Sequence, residues 1–122
     1  MSINSNFDKR RSPRMHIACM VTVHTGRGDY PGLIRNISET GFGLETTGLF
    51  YLGEKNKFEF ELPGGPRLKI EGTIARAVKA GQTILYGIRF LPLSMFDAWR
   101  LQSFLDKHII GDGTNKLSGH NT

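Results

Sequence analysis

Two short segments hold the residue types that could do chemistry: Arg10-Arg11-Ser12-Pro13-Arg14 and Asn36-Ile37-Ser38-Glu39-Thr40-Gly41. Guanidinium groups are planar forks of N–H donors. They match two oxygens of a phosphate or the O6/N7 edge of a guanine, a geometry that lysine cannot offer. Pro13 stiffens the first segment and holds Ser12 extended. In the second, the Asn36 amide can accept from the N1–H/N2–H edge of a guanine and donate elsewhere, and Ser38 adds a short hydroxyl. Gly41 admits a positive φ or a close approach of a ligand to the backbone. Alone, each segment also has a plainer reading, as a basic tail and as an Asx/Ser turn between strands.

Charge is concentrated at one end. Lys9, Arg10, Arg11 and Arg14 against Asp8 leave +3 in the first fourteen residues, and the remaining 108 carry only +2. A polyanion binder spreads its charge along a face, whereas a local knot of arginines suits a compact anion. Catalysis has little to rest on. His16, His24, His108 and His120 lack ligand spacing, no serine sits in a nucleophile elbow, and most carboxylates alternate with apolar residues as on a solvated strand face. The single Cys19 excludes an internal disulfide and a cysteine-based zinc cluster, and its apolar setting predicts a buried thiol. The reading is a binder rather than an enzyme, with no metal and no cofactor.

These segments must be positioned by strands. Ile17, Cys19, Val21 and Val23 alternate with His16, Ala18, Met20 and Thr22, a period of two. After the loop signal 26–29, a second strand runs over 30–37, with Pro31 near its start. Phe42, Leu44 and Thr46 mark a short third strand. Phe58, Phe60 and Leu62 mark a fourth, which turns through Pro63-Gly64-Gly65-Pro66 into a fifth from Leu68 toward Lys79. A sixth follows Ala80-Gly81-Gln82 and carries Ile84, Tyr86, Ile88 and Phe90. The period then changes. Phe96, Trp99, Leu101, Phe104, Leu105 and Ile109 form a helix-like stripe with Ser94 as N-cap and Gly111 as stop. Six strands and one terminal helix in 122 residues predict a small antiparallel barrel, since closure removes exposed sheet edges. No apolar run is long enough for a membrane-spanning helix, and the polar start does not read as a secretory signal. The expected location is the cytoplasm, without membrane insertion. Binding of DNA or RNA is not expected, because Phe42, Phe58, Phe60 and Phe90 fall on the core side of their strands rather than along a basic face.

In this order and spacing, the two segments resemble the signatures of the PilZ domain family: Arg-x-x-x-Arg before the first strand, here Arg10 to Arg14 with Arg11 alongside, then Asp/Asn-x-Ser-x-x-Gly, here Asn36, Ser38 and Gly41. Gly87-Ile88-Arg89-Phe90 resembles a late glycine-x-x-phenylalanine strand, and the resemblance covers about residues 9–108. With a flexible arm expected over the polar residues 1–8 and a disordered tail over 111–122, it implies for 9–110 an all-β, six-stranded antiparallel PilZ-type barrel with a C-terminal α-helix. It further implies a receptor for the bacterial second messenger cyclic diguanylate (c-di-GMP). Arg10, Arg11 and Arg14 would grip phosphates and a guanine edge. Asn36 and Ser38 would read a second guanine, with Gly41 shaping the turn. Lys9 would be an accessory contact, and its basic character would lean toward a stacked ligand pair. Asn36 stands where the family often has aspartate, and a neutral amide makes the weaker contact. The expected output is an N-terminal arm ordered over the ligand, which changes the surface seen by an unidentified protein effector. The competing expectation is a PilZ-like adaptor that acts through protein contacts without nucleotide. His16, Arg27 and Arg35 are further accessory candidates.

Overall fold

The computed structural model describes residues 14–110, so the proposed arm and tail, Lys9, Arg10, Arg11 and the stop at Gly111 lie outside the described residues. Six antiparallel strands follow one another: β1 (Met15–Thr25), β2 (Gly28–Ile37), β3 (Gly41–Thr46), β4 (Lys55–Glu61), β5 (Arg67–Ala80) and β6 (Thr83–Phe90). They close in the order β1-β2-β3-β6-β5-β4, with β4 pairing back onto β1. The expected all-β barrel with a terminal helix is therefore the fold.

The alternating pattern puts one row of side chains inside. Ile37, Phe42, Ile88 and Ile74 are register partners across β2, β3, β6 and β5, and all four are buried. Phe42 is the hub, meeting Phe58 edge-on at 5.2 Å between ring centroids and Phe60 at 5.7 Å. Edge-to-face packing adds to the area that such rings remove from water. Cys19 is buried as expected. Its thiol donates to the Glu61 carbonyl at 3.1 Å, and burial pushes its pKa up, leaving it a small hydrophobe rather than a nucleophile.

Strict alternation fails at three places, where a strand carries an extra residue. The register shifts between His16 and Cys19 on β1, between Ile34 and Asn36 on β2, and between Ile74 and Arg76 on β5. Bulges re-aim the side chains beside them, and these three determine what the outer face presents.

Helix α1 (Met95–Leu105) begins where expected: the Asp97 amide donates to Ser94 Oγ at 3.0 Å, a side-chain N-cap. Leu101, Phe104 and Leu105 join the core. The expected apolar stripe is only half buried, however. Phe96 and Trp99 are 63% and 65% exposed, because the seating turn of the helix is the one carrying 101, 104 and 105. Beyond Leu105 the chain continues as a wider π-helical turn, Asp106–Ile110. No described helix is long and apolar enough to cross a membrane.

Candidate functional site

Strand β1 starts one residue after Arg14, and its first pairs are Met15 with Ile37 and His16 with Asn36. This register carries the last arginine of the first segment onto the end of β2. The Arg14 guanidinium donates to Asn36 Oδ1, so two signature residues 22 positions apart in sequence are in direct contact. Lys9, Arg10 and Arg11, outside the described residues, precede this point.

From Asn36 a row runs outward across the barrel wall. Asn36 faces Gly43, Gly43 faces Gly87, and Gly87 faces Arg76. Ile37, Phe42, Ile88 and Ile74 of the next row point inward, so this row points out. The bulges on β2 and β5 flank it. The two glycines leave room for the side chains at either end to lie across the wall. A Cβ on Gly43 would stand 2.8 Å from Asn36 Nδ2, and one on Gly87 would stand 3.0 Å from Arg76 Cγ.

The row lies in an open groove of about 610 Å³, within the roughly 300–1,000 Å³ usual for small-molecule sites. Arg14, His16, Arg35 and Arg76 supply its basic side, and Val78, Leu85 and Tyr86 supply apolar wall. Glu45 is its one acid. It is occupied by Arg35 at 2.6 Å and by the Thr83 hydroxyl at 3.0 Å, which together hold its carboxyl below the usual range. With Arg35 and Glu45 compensating each other, Arg14 and Arg76 remain as groove cations without a carboxylate partner among the described residues. An anion carrying flat apolar rings suits such a surface.

Ser38 and Gly41 are placed differently from Asn36. Ser38 is 1% exposed, and its hydroxyl stays within the turn, accepting from the Thr40 amide at 3.2 Å and lying 3.1 Å from Thr40 Oγ1. The Ser38 amide donates to the Gly41 carbonyl at 2.8 Å, and the Phe90 amide ties the same turn to β6 through the Thr40 carbonyl at 2.9 Å. Gly41 does not take a positive φ. The close approach it permits is to its own barrel, since a Cβ there would lie 1.9 Å from the Ile88 carbonyl oxygen. Both residues thus shape the end of β2 that presents Asn36. Of the accessory candidates, His16 and Arg35 line the groove, whereas Arg27 is ion-paired to Glu54 at 2.8 Å near the β3–β4 connection.

Arg76, Gly43 and Gly87 lie outside the two signature segments, and Gly87 belongs to the late glycine-x-x-phenylalanine strand. Neither bulge is visible in the alternation, and the bulge on β5 brings Arg76 to the outer face. A second groove of about 300 Å³ lies between the Gly64–Gly65–Pro66 hairpin and α1, beside Trp99 and Arg100, and contains none of the signature residues.

The PilZ domain family model matches residues 8–107. The chain belongs to the PilZ domain family. Solved structures show the same barrel. YcgR from Escherichia coli, solved in complex with c-di-GMP, superposes with a TM-score of 0.75 at 14% identity, over 91% of this chain and 50% of that one. The MrkH–c-di-GMP complex of K. pneumonia gives 0.73 at 17% identity, over 87% and 55%. The inhibitor of motility MotI/DgrA of Bacillus subtilis gives 0.64 at 18% identity, over 82% and 53%. At these identities the likeness is one of fold, and this PilZ chain spans about half the length of each of the three. No match to the chain was found among curated protein sequences.

Proposed function

We propose that this PilZ domain is a receptor for cyclic diguanylate, that it binds the messenger in the groove across β2, β3, β6 and β5, and that it performs no chemistry on it. The observation that carries the reading is the Arg14–Asn36 contact, which joins the end of the arginine segment to the start of the Asn-x-Ser-x-x-Gly segment at one edge of a basic groove. The related domains of YcgR and MrkH, which were solved with c-di-GMP, support the choice of ligand.

The ligand carries two phosphate charges and two guanines. Arg14, with Arg10 and Arg11 from the preceding segment, supplies forks for phosphate oxygens and a guanine edge. The Asn36 amide reads a guanine once Arg14 turns from it to the ligand. Ser38 and Gly41 hold the corner that aims Asn36, and Lys9 is the accessory residue. The flanking segments 1–8 and 111–122 are outside the binding unit of 9–110. Ordering the leader costs about 1–2 kcal/mol per residue fixed, and charge-assisted contacts of about 1.5–3 kcal/mol each offset it. The output is a changed surface offered to a protein effector in the cytoplasm.

Isothermal titration tests the reading. The chain should bind c-di-GMP with a saturating isotherm and show no comparable heat with GTP or single-stranded RNA. A flat c-di-GMP isotherm would replace the receptor with a barrel acting through protein contacts alone.

A further inference from the structure

Arg76 belongs to neither signature segment, yet it is one of the two groove cations without a carboxylate partner among the described residues. Its setting is unusual for a surface arginine. The β5 bulge between Ile74 and Arg76 pairs it with Gly87. Above Gly87, three successive side-chain atoms run past the place where a Cβ would stand: Cγ at 3.0 Å, Cδ at 3.6 Å and Nε at 3.3 Å. Near-equal distances along the stem mean that the side chain lies flat across β6 rather than rising into solvent. A stem laid along the strand keeps the guanidinium at the groove surface that Arg76 lines. On the far side of the β3–β6 seam the Asn36 amide leans over Gly43 in the same way, with Nδ2 at 2.8 Å and the amide carbon at 3.2 Å from the corresponding point. The two glycines, themselves register partners, are thus each a seat for one side chain, the Asn36 amide at Gly43 and the Arg76 stem at Gly87.

We infer that Arg76 is a ligand-contacting residue on the β5 side of the groove: its guanidinium plane, seated on Gly87, is the platform on which a purine of the cyclic dinucleotide stacks. Flat guanidinium and purine faces attract through dispersion and cation–π interaction. Val78 and Leu85, exposed on the groove wall nearby, extend the apolar footing. Gly87 acts through Arg76 and is a positioning residue. This inference rests on the receptor reading and extends its site from the β1–β2 edge to β5.

The test is a c-di-GMP titration of the wild-type chain beside Arg14→Ala, Arg76→Ala, Arg76→Lys and Arg76→Trp, with the melting temperature of each measured without ligand. Removing a stacking platform costs about tenfold in affinity. Arg76→Ala and Arg76→Lys are therefore expected to weaken binding about tenfold, while Arg76→Trp, which restores a flat face without charge, stays within about threefold of wild type. Melting temperatures without ligand should not separate the variants, because Arg76 is exposed. If Arg76→Ala binds like wild type while Arg14→Ala is weakened, the site ends at Asn36 and the inference is wrong, with the receptor reading intact. If Arg76→Lys rescues and Arg76→Trp does not, a point charge is at work and the platform is wrong. If the wild-type chain binds no c-di-GMP, the receptor reading fails and takes the platform with it.

Discussion

Arg14 donates a hydrogen bond to the Asn36 side-chain oxygen, tying the residue just before the first strand to the end of the second. The contact exists because β1 and β2 form a hairpin whose open end brings positions 15–16 beside 36–37. It engages the same oxygen that Asn36 would offer a guanine in the receptor reading, and the second lone pair of that oxygen stays available.

Arg14→Ala and Asn36→Ala should each weaken c-di-GMP binding by at least about tenfold, since a charge-assisted contact contributes about 1.5–3 kcal/mol. Both residues lie on the outer face, so ligand-free stability should change by no more than about 0.5 kcal/mol. Titration and thermal denaturation of the same samples check the pair of outcomes.

Gly41 and Gly43 lie two positions apart but should fail in different ways. A methyl group on Gly41 meets the Ile88 carbonyl oxygen at 1.9 Å, a backbone atom that cannot give way, so Gly41→Ala should destabilise the barrel by about 3 kcal/mol or more. A methyl group on Gly43 meets the end of the Asn36 side chain at 2.8 Å, which can swing aside. Gly43→Ala should therefore keep most of the stability and lose affinity, as denaturation beside titration would show.

Ser38→Ala should cost stability as well as binding. Its buried hydroxyl accepts from the Thr40 amide at 3.2 Å, and removing it leaves that amide short of a partner, at about 1–2 kcal/mol. Chemical denaturation without ligand reads this directly, and a loss of affinity with unchanged stability would instead mark Ser38 as a pure ligand contact.

His24 gives the domain a pH dependence away from the groove. Its Nδ1 lies 3.0 Å from Asp29 and its Nε2 2.9 Å from Glu59, an arrangement that requires a proton on both nitrogens. Glu59 first, then Asp29, raises the His24 pKa above its ordinary 6.5. A raised folded-state pKa contributes stability that is fully present below the unfolded value and is lost as pH rises through the folded one. The melting temperature of the wild-type chain should therefore fall as pH rises from about 6 to 8, and His24→Gln should flatten that slope.

The fold was legible because half-buried antiparallel strands alternate. Phe58, Phe60 and Leu62 on one side and Glu59 and Glu61 on the other name the inner and outer faces without any structure. Ser94 marked the helix start through its cap. The candidate site was legible at its β1–β2 edge, where Arg14 and Asn36 of the two motifs meet. Its β5 edge was not, because strict alternation continued from Ile74 would turn Arg76 toward the core, and the single extra residue that reverses this leaves no trace in composition. The turn role of Ser38 was hidden for a related reason: a serine that closes its own turn and one that reads a ligand look the same in sequence. Phe96 and Trp99 read as core because helical spacing does not show which turns a short helix seats. In the structure they stack on each other at 6.5 Å, with the Arg100 guanidinium 5.1 Å above Phe96.

The most direct measurement is a backbone-amide NMR titration of the whole chain with c-di-GMP. The largest shift changes are expected at Arg14, Asn36, Gly43, Arg76 and Gly87, with further changes at Arg10 and Arg11. Changes confined to the groove beside Trp99 and Arg100, or none at all, would contradict binding at the β2–β3–β6–β5 face.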